Sequence, residues 1–173
     1  INAALRNAKE SLARKMADGA TQKKLLKGVA KAFNLPEPPN RIEVFDNSHI
    51  QGAFAVGAMI VSGPEGLVKN SYRKFNIEGH NFSPGDDIGM MKEVLSRRFK
   101  RLVKEDPERQ NQQWPDLLLI DGGAGQVNAI GKVMREFGIE DIAIIGVAKG
   151  VDRDQGKEEF HMLGKRPFAL QRN

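Results

Sequence analysis

The chain has 173 residues, a formal net charge of +5, 40% apolar residues and no cysteine. That is room for one domain with a sizeable core. It excludes wholesale disorder, a disulfide framework, a thiolate metal site and a cysteine nucleophile. No apolar run approaches the roughly 18–20 residues needed to cross a bilayer and no secretory signal opens the chain, so a cytoplasmic protein is expected. The first residue is Ile1, so the sequence reads as a piece of something longer.

The positive charge is unevenly placed. Residues 1–35 hold eight Lys/Arg against two Asp/Glu, whereas residues 36–173 hold nineteen against twenty. Within 1–35, Leu5, Ala8, Leu12 and Met16 recur at helical spacing, and Asp18-Gly19 is expected to end that helix. Thr21 is placed to cap a second helix with an apolar face of Leu25, Val29 and Phe33. Leu35-Pro36-Glu37-Pro38-Pro39 cannot extend it, because proline removes donors and restricts its predecessor. The division expected is a basic helical extension over 1–35 and one domain over 36–173.

Residues 42–45 read as a short strand closed by Asp46, and 54–61 as a central strand apolar on both faces. Gly63-Pro64-Glu65-Gly66 marks a turn into a third strand over 67–75. Past Ser83-Pro84-Gly85-Asp86-Asp87 the period becomes helical, with Ile88, Met91, Leu95, Arg98/Phe99 and Leu102 on one face. Acids at its start and bases toward its end complement the helix dipole. Residues 107–114 form a polar loop and 116–120 a continuous apolar strand. Asp121-Gly122-Gly123-Ala124-Gly125-Gln126 turns into a helix through Phe137. Residues 142–147 and 158–163 are two further strands. An antiparallel meander followed by alternating units predicts an α/β fold with a mixed sheet flanked by helices.

Asp46 and Asp121 each follow a short apolar strand, at the end of the sheet where open α/β folds bind ligands. If the two strands are parallel neighbours, both carboxylates reach one divalent ion, Mg²⁺ or Mn²⁺, which would hold them ionised together. Aspartates after strands also simply start turns, and both readings stand. The glycines after Asp121 lack the ending of a P-loop and the spacing of a dinucleotide fingerprint. A tight strand-to-helix turn accounts for them, and they also suit close approach of a phosphate backbone. Helix capping explains Asp86 and Asp87. His49, three residues after Asp46, is a candidate to orient a ligand or to bond to the turn, whereas His80 and His161 show no metal-pair spacing and read as ordinary surface or core residues. Six basic residues against Glu93 over 92–104 form a solvated face, or a phosphate track containing Arg97, Arg98 and Arg101 if it borders the carboxylates. Arg73 and Lys74, beside Tyr72, are candidates to extend that track.

Five blocks in order carry a resemblance. They are Ile42-Glu43-Val44-Phe45-Asp46-Asn47-Ser48-His49-Ile50-Gln51-Gly52, Tyr72-Arg73-Lys74-Phe75-Asn76-Ile77, Pro84-Gly85-Asp86-Asp87 with Met90 and Met91, Leu119-Ile120-Asp121-Gly122-Gly123-Ala124-Gly125-Gln126, and Gly146-Val147-Ala148-Lys149-Gly150. Together they resemble the C-terminal endonuclease domain of the UvrC family of excinucleases. The resemblance implies a ribonuclease H-like fold and the incision on the 5′ side of a lesion in bacterial nucleotide excision repair. It implies that Asp46 and Asp121 bind Mg²⁺ or Mn²⁺, with Asp87 a third acid of the same incision. The partners it implies are damaged double-stranded DNA and, through parts of the protein outside this chain, the helicase-like excinuclease component UvrB. The family also carries a histidine on a helix after the segment resembling Lys165-Arg166-Pro167-Phe168-Ala169-Leu170. None of the three histidines here matches it, so an incomplete site and an inactive fragment are expected. The competing expectation is a non-catalytic ribonuclease H-like module that binds DNA or a partner. An NTP-hydrolysing domain would lack its lysine.

Overall fold

The computed structural model describes residues 2–50, 54–77, 85–150 and 158–170. A long helix α1 (Asn2–Phe33) precedes β1 (Ile42–Ile50), β2 (Phe54–Gly63), β3 (Gly66–Leu67) and β4 (Arg73–Ile77). Then follow α2 (Asp87–Glu105), β5 (Leu117–Asp121), α3 (Ala124–Glu136), β6 (Ala143–Lys149) and β7 (Glu158–Met162). The strands form one mixed sheet in the order β3-β2-β1-β5-β6-β7, with β4 also paired to β2. The α/β expectation holds, with β1, β5 and β6 as its parallel centre.

Three local expectations change. The N-terminal segment is one helix, not two: Gly19 is absorbed mid-helix, at a cost of about 1 kcal/mol relative to alanine. Thr21 Oγ1 donates back to the Ala17 carbonyl at 3.1 Å instead of capping a new start. The docked face at the end of α1 is Leu26, Ala30 and Phe33, while Leu25 points outward with 59% of its surface exposed. The third strand is broken by a 3₁₀ turn at Lys69–Ser71. Its two pieces pair with opposite ends of β2, Leu67 with Ser62 and residues 73–77 with residues 55–59. Finally, β1 does not stop at Asp46. Its parallel pairing with β5 runs to Phe45↔Ile120, while its antiparallel pairing with β2 continues to Ile50↔Phe54.

Strand alternation gives the sheet two differently covered faces. On one, Phe45, Leu118 and Ile120 are sealed beneath Met91, Leu95 and Phe99 of α2 and Val127, Ile130 and Met134 of α3. Full burial of each such side chain contributes about 1.5–3 kcal/mol. On the other, Ile42, Leu117 and Ile145 lie under Leu26 and Phe33 of α1. Phe33 is further held between Phe160 and Phe168, with ring centroids 5.3 Å and 6.1 Å away. That cover reaches only the lower part of the face, so the carboxyl ends of β1 and β5 stay open.

The helical face also contains a buried ion pair. Glu43, fully buried on β1, accepts from Arg98 Nη2 at 2.6 Å and Arg98 Nε at 3.3 Å, and from Arg41 Nε at 3.0 Å. Arg98 also donates to the Gln113 carbonyl at 2.8 Å. The network ties α2 to β1 and to the loop before β5, and both ions are desolvated. Breaking such a pair costs far more than forming it contributes. Arg98→Ala is therefore expected to destabilise the fold by about 3 kcal/mol or more. Arg98→Ala with Glu43→Leu should recover part of that loss in urea melts, whereas the same loss in both variants would contradict the buried pair.

Candidate active site

The site begins with sheet register. Ile42↔Leu117 through Phe45↔Ile120 are parallel partners, so the next step sets Asp46 beside Asp121. Counting by twos from Ile42 and Leu117 puts both carboxylates on the face partly covered by α1, just beyond its cover. Asp121 is the last residue of β5, and its position is fixed on the far side by pairing with Val147 of β6. The Gly122 amide extends that ladder by donating to the Val147 carbonyl at 3.0 Å. The chain then turns sharply, with the Gly123 amide donating to Gln126 Oε1 at 3.1 Å as α3 starts.

Gly146 makes this turn possible. A Cβ there would lie 2.6 Å from the Gly122 carbonyl oxygen and 2.6 Å from Val127 Cγ2. The turn thus folds directly over β6, and the glycine is needed for close approach. That fixes how far Asp121 projects into the cleft.

Asp87 arrives from another element. It is the first residue of α2, and its neighbour Asp86 supplies the cap, accepting from the Gly89 amide at 2.9 Å. Asp46, Asp87 and Asp121 line one cleft of about 740 Å³ together with Asn47, Gln126 and Lys149. The three acids singled out from sequence are thus brought together.

The electrostatics of the pair are those of like charges held close. The Asp121 carboxyl is pushed above the usual carboxylate range, first by partial burial, then by the hydrogen bond and the charge of the Asp46 carboxyl. Lys149 opposes the shift. Two hard oxygen donors whose mutual repulsion favours keeping a proton are also suited to a divalent cation, which removes the same repulsion. The donor set therefore fits Mg²⁺ or Mn²⁺ at Asp46 and Asp121. Among the described residues no group of three or more His, Asp or Glu converges closely enough to form a cage.

The candidate DNA contacts separate by face. Lys74 lies in the same cross-strand row as the acids, since it pairs with Ala58 and Ala58 with Asp46. Two strand spacings put it about 10 Å from Asp46, on the same side of the sheet. Arg73 alternates to the other face and donates to the Asn70 and Tyr72 carbonyls. Arg97 donates to the Asn76 carbonyl and lies 5.6 Å from the centre of the Phe75 ring. Arg98 does not belong in a DNA track, because it is buried and bound to Glu43. Arg101 is paired with Glu105 at 2.8 Å and lies about 21 Å along α2 from Asp87. His161 sits on β7 with its Nε2 3.8 Å from Glu159. His80, Ser83, Pro84, Gln51 and Gly52 lie outside the described residues, as does the side chain of His49.

Lys149 was missed as a site residue. It stands inside one of the five motif blocks, but its relation to Asp121 depends on β5–β6 register, which spacing along the chain does not show.

A mixed sheet with paired acids at the carboxyl ends of adjacent parallel strands defines a ribonuclease H-like α/β domain. The family described as the UvrC RNAse H endonuclease domain matches residues 30–173, and the chain belongs to that family. It is 67% identical over all 173 residues to the UvrABC system protein C of Ruegeria pomeroyi and 66% identical to that of Ruegeria sp. strain TM1040. It spans 28% and 27% of those two proteins. A looser likeness links it to the crystal structure of the catalytic domain of human Endonuclease V. There the TM-score is 0.49 at 18% identity, covering 81% of this chain and 58% of that one. The sequence family carries the assignment.

Because its folded pKa is raised, Asp121 weakens the fold as pH climbs through that value and ceases to do so below the ordinary carboxylate range. Asp121→Asn should therefore melt higher than wild type at neutral pH, and the gap should close on acidification. Both carboxylates face solvent, so screening keeps the gap to a few degrees. A melting point lowered at neutral pH would contradict the repulsive pair.

Proposed function

We propose that this chain is the metal-dependent phosphodiesterase domain that makes the 5′ incision in bacterial nucleotide excision repair. The observation that carries the reading is the Asp46–Asp121 pair, set side by side on adjacent parallel strands in an open cleft that Asp87 also lines. The name of the relatives, UvrABC system protein C, is consistent with a damaged DNA substrate and with UvrB as partner.

Asp46 and Asp121 would hold Mg²⁺ or Mn²⁺, and when bound such an ion activates water and steadies charge on the phosphate. The residues of the chain do the rest. The β1–β5 register fixes the spacing of the two donors before any ion arrives. Asp87, the first residue of α2, lines the same cleft and would accept a proton or orient water there. The Gly122-Gly123 turn, with no side chains, lets a phosphodiester backbone come close to Asp121, and the amides at the start of α3 favour its negative charge. Lys74, in line with the acids, is placed to contact a flanking phosphate. Water oxygen bonds to phosphorus as the P–O3′ bond breaks, leaving a 3′ hydroxyl and a 5′ phosphate.

The second reading is a binding module without chemistry. Among the described residues two carboxylates form the pair and no third acid or histidine completes a cage with them, which favours that reading for this chain taken alone.

Asp46→Ala or Asp121→Ala in the intact protein is expected to abolish 5′ incision of a damaged duplex while leaving the earlier 3′ incision. Each should also lose the Mn²⁺ site in calorimetric titration. Retained 5′ cutting in either variant would overturn the assignment, and Mn²⁺ binding indifferent to Asp46 would favour the binding module. The 173-residue chain alone should cut DNA poorly or not at all; efficient cutting would show that the donors present suffice.

A further inference from the structure

We propose that Lys149 is a substrate-contacting residue of this cleft, its ammonium holding the phosphate to be cut over the Asp46–Asp121 pair. The proposal rests on the phosphodiesterase reading and adds to it the group that receives the substrate's charge.

Register places the residue. Asp121 pairs with Val147, and Lys149 follows two residues later as the last residue of β6. It therefore projects from the same face as Asp121, about 6–7 Å further along the strand direction, toward the open end. It is exposed, and it is the one basic side chain among the described residues lining the cleft. Its charge acts on the Asp121 carboxylate within the cleft.

Charge balance gives the placement a purpose. Three carboxylates line the cleft, and the substrate adds another negative charge. One divalent ion leaves the sum negative, so a phosphate would still be repelled. The Lys149 ammonium beside the pair offsets part of that remainder without taking the ion's place. Lysine suits the task as a compact charge on a flexible stem, able to follow a phosphate oxygen. The chain's net positive charge does not supply this, because the surplus is carried by residues 1–35.

A purely structural role is the competing account, since Lys149 is the cross-strand partner of Glu158 on β7. The two accounts separate in the intact protein acting on a damaged duplex. With Lys149→Ala, 5′ incision should fall at least about tenfold, and the slope of log affinity for duplex against log salt should shrink by about one. Mn²⁺ affinity by calorimetry should be unchanged or higher, because a neighbouring positive charge has gone. Lys149→Arg should restore most of the incision, since it keeps the charge. Wild-type incision and salt slope in Lys149→Ala would overturn the proposal, as would Mn²⁺ affinity that falls in step with activity. Asp46→Ala run alongside keeps the two readings apart. If it still incises, the phosphodiesterase reading fails; if it is inactive while Lys149→Ala matches wild type, only the role of Lys149 falls.

Discussion

The parallel pairing of β1 with β5 is the constraint on which the site depends. It aligns Ile42 with Leu117 and Phe45 with Ile120, and so leaves Asp46 and Asp121 no arrangement except side by side. Two like charges would separate if they could. They are held by the sheet beneath them, where Phe45, Leu117, Leu118 and Ile120 have no exposed surface at all. A one-residue slip of either strand would send its carboxylate to the opposite face and bring buried side chains out. The hydrophobic core thereby preorganises an electrostatically unfavourable pair, and partial burial followed by the neighbouring Asp46 carboxyl holds the Asp121 pKa up.

The same strand carries two acids with opposite fates. Glu43 alternates toward α2 and is neutralised by Arg98 and Arg41 inside the core. Asp46, three residues on, faces the cleft and meets another acid. The Glu43–Arg98 bond anchors the middle of α2 to β1, while Asp87 at the start of that helix reaches the cleft wall. The fold and the site are thus linked through β1 and α2, and one strand supplies both the internal anchor and a donor. Positive charge is distributed in a corresponding way. Arg98 has a structural task and Arg101 is paired within its helix, which leaves Lys74 and Lys149 on the face that carries the acids.

Much of the fold was legible from periodicity. β2, β5, β6 and α3 fall within a residue or two of the expected limits, because long apolar runs and clear turn signals bound them. The misreadings share a cause. α1 runs through Asp18-Gly19, the third strand breaks at Lys69–Ser71, and β1 continues past Asp46. In each case a tertiary neighbour outweighs a local preference: the sheet under Leu26 and Phe33, the long edge of β2, and the β1–β2 ladder. Leu25 and Leu26 show the limit sharply. Adjacent leucines in a basic helix offer two nearly equivalent faces, and only docking selects one.

By itself the sequence determined the mixed α/β class, the two aspartates worth singling out, and the family, because apolar runs, turn residues and ordered motif blocks are properties of the chain read in one dimension. The tertiary structure decided which charges act together. It paired Asp46 with Asp121, turned Asp87 into their cleft, withdrew Arg98 into the core and brought Lys149 beside Asp121. Cross-strand register and helix docking join residues as far apart as Phe33 and Phe168, and no spacing along the chain encodes which face of the sheet each one meets.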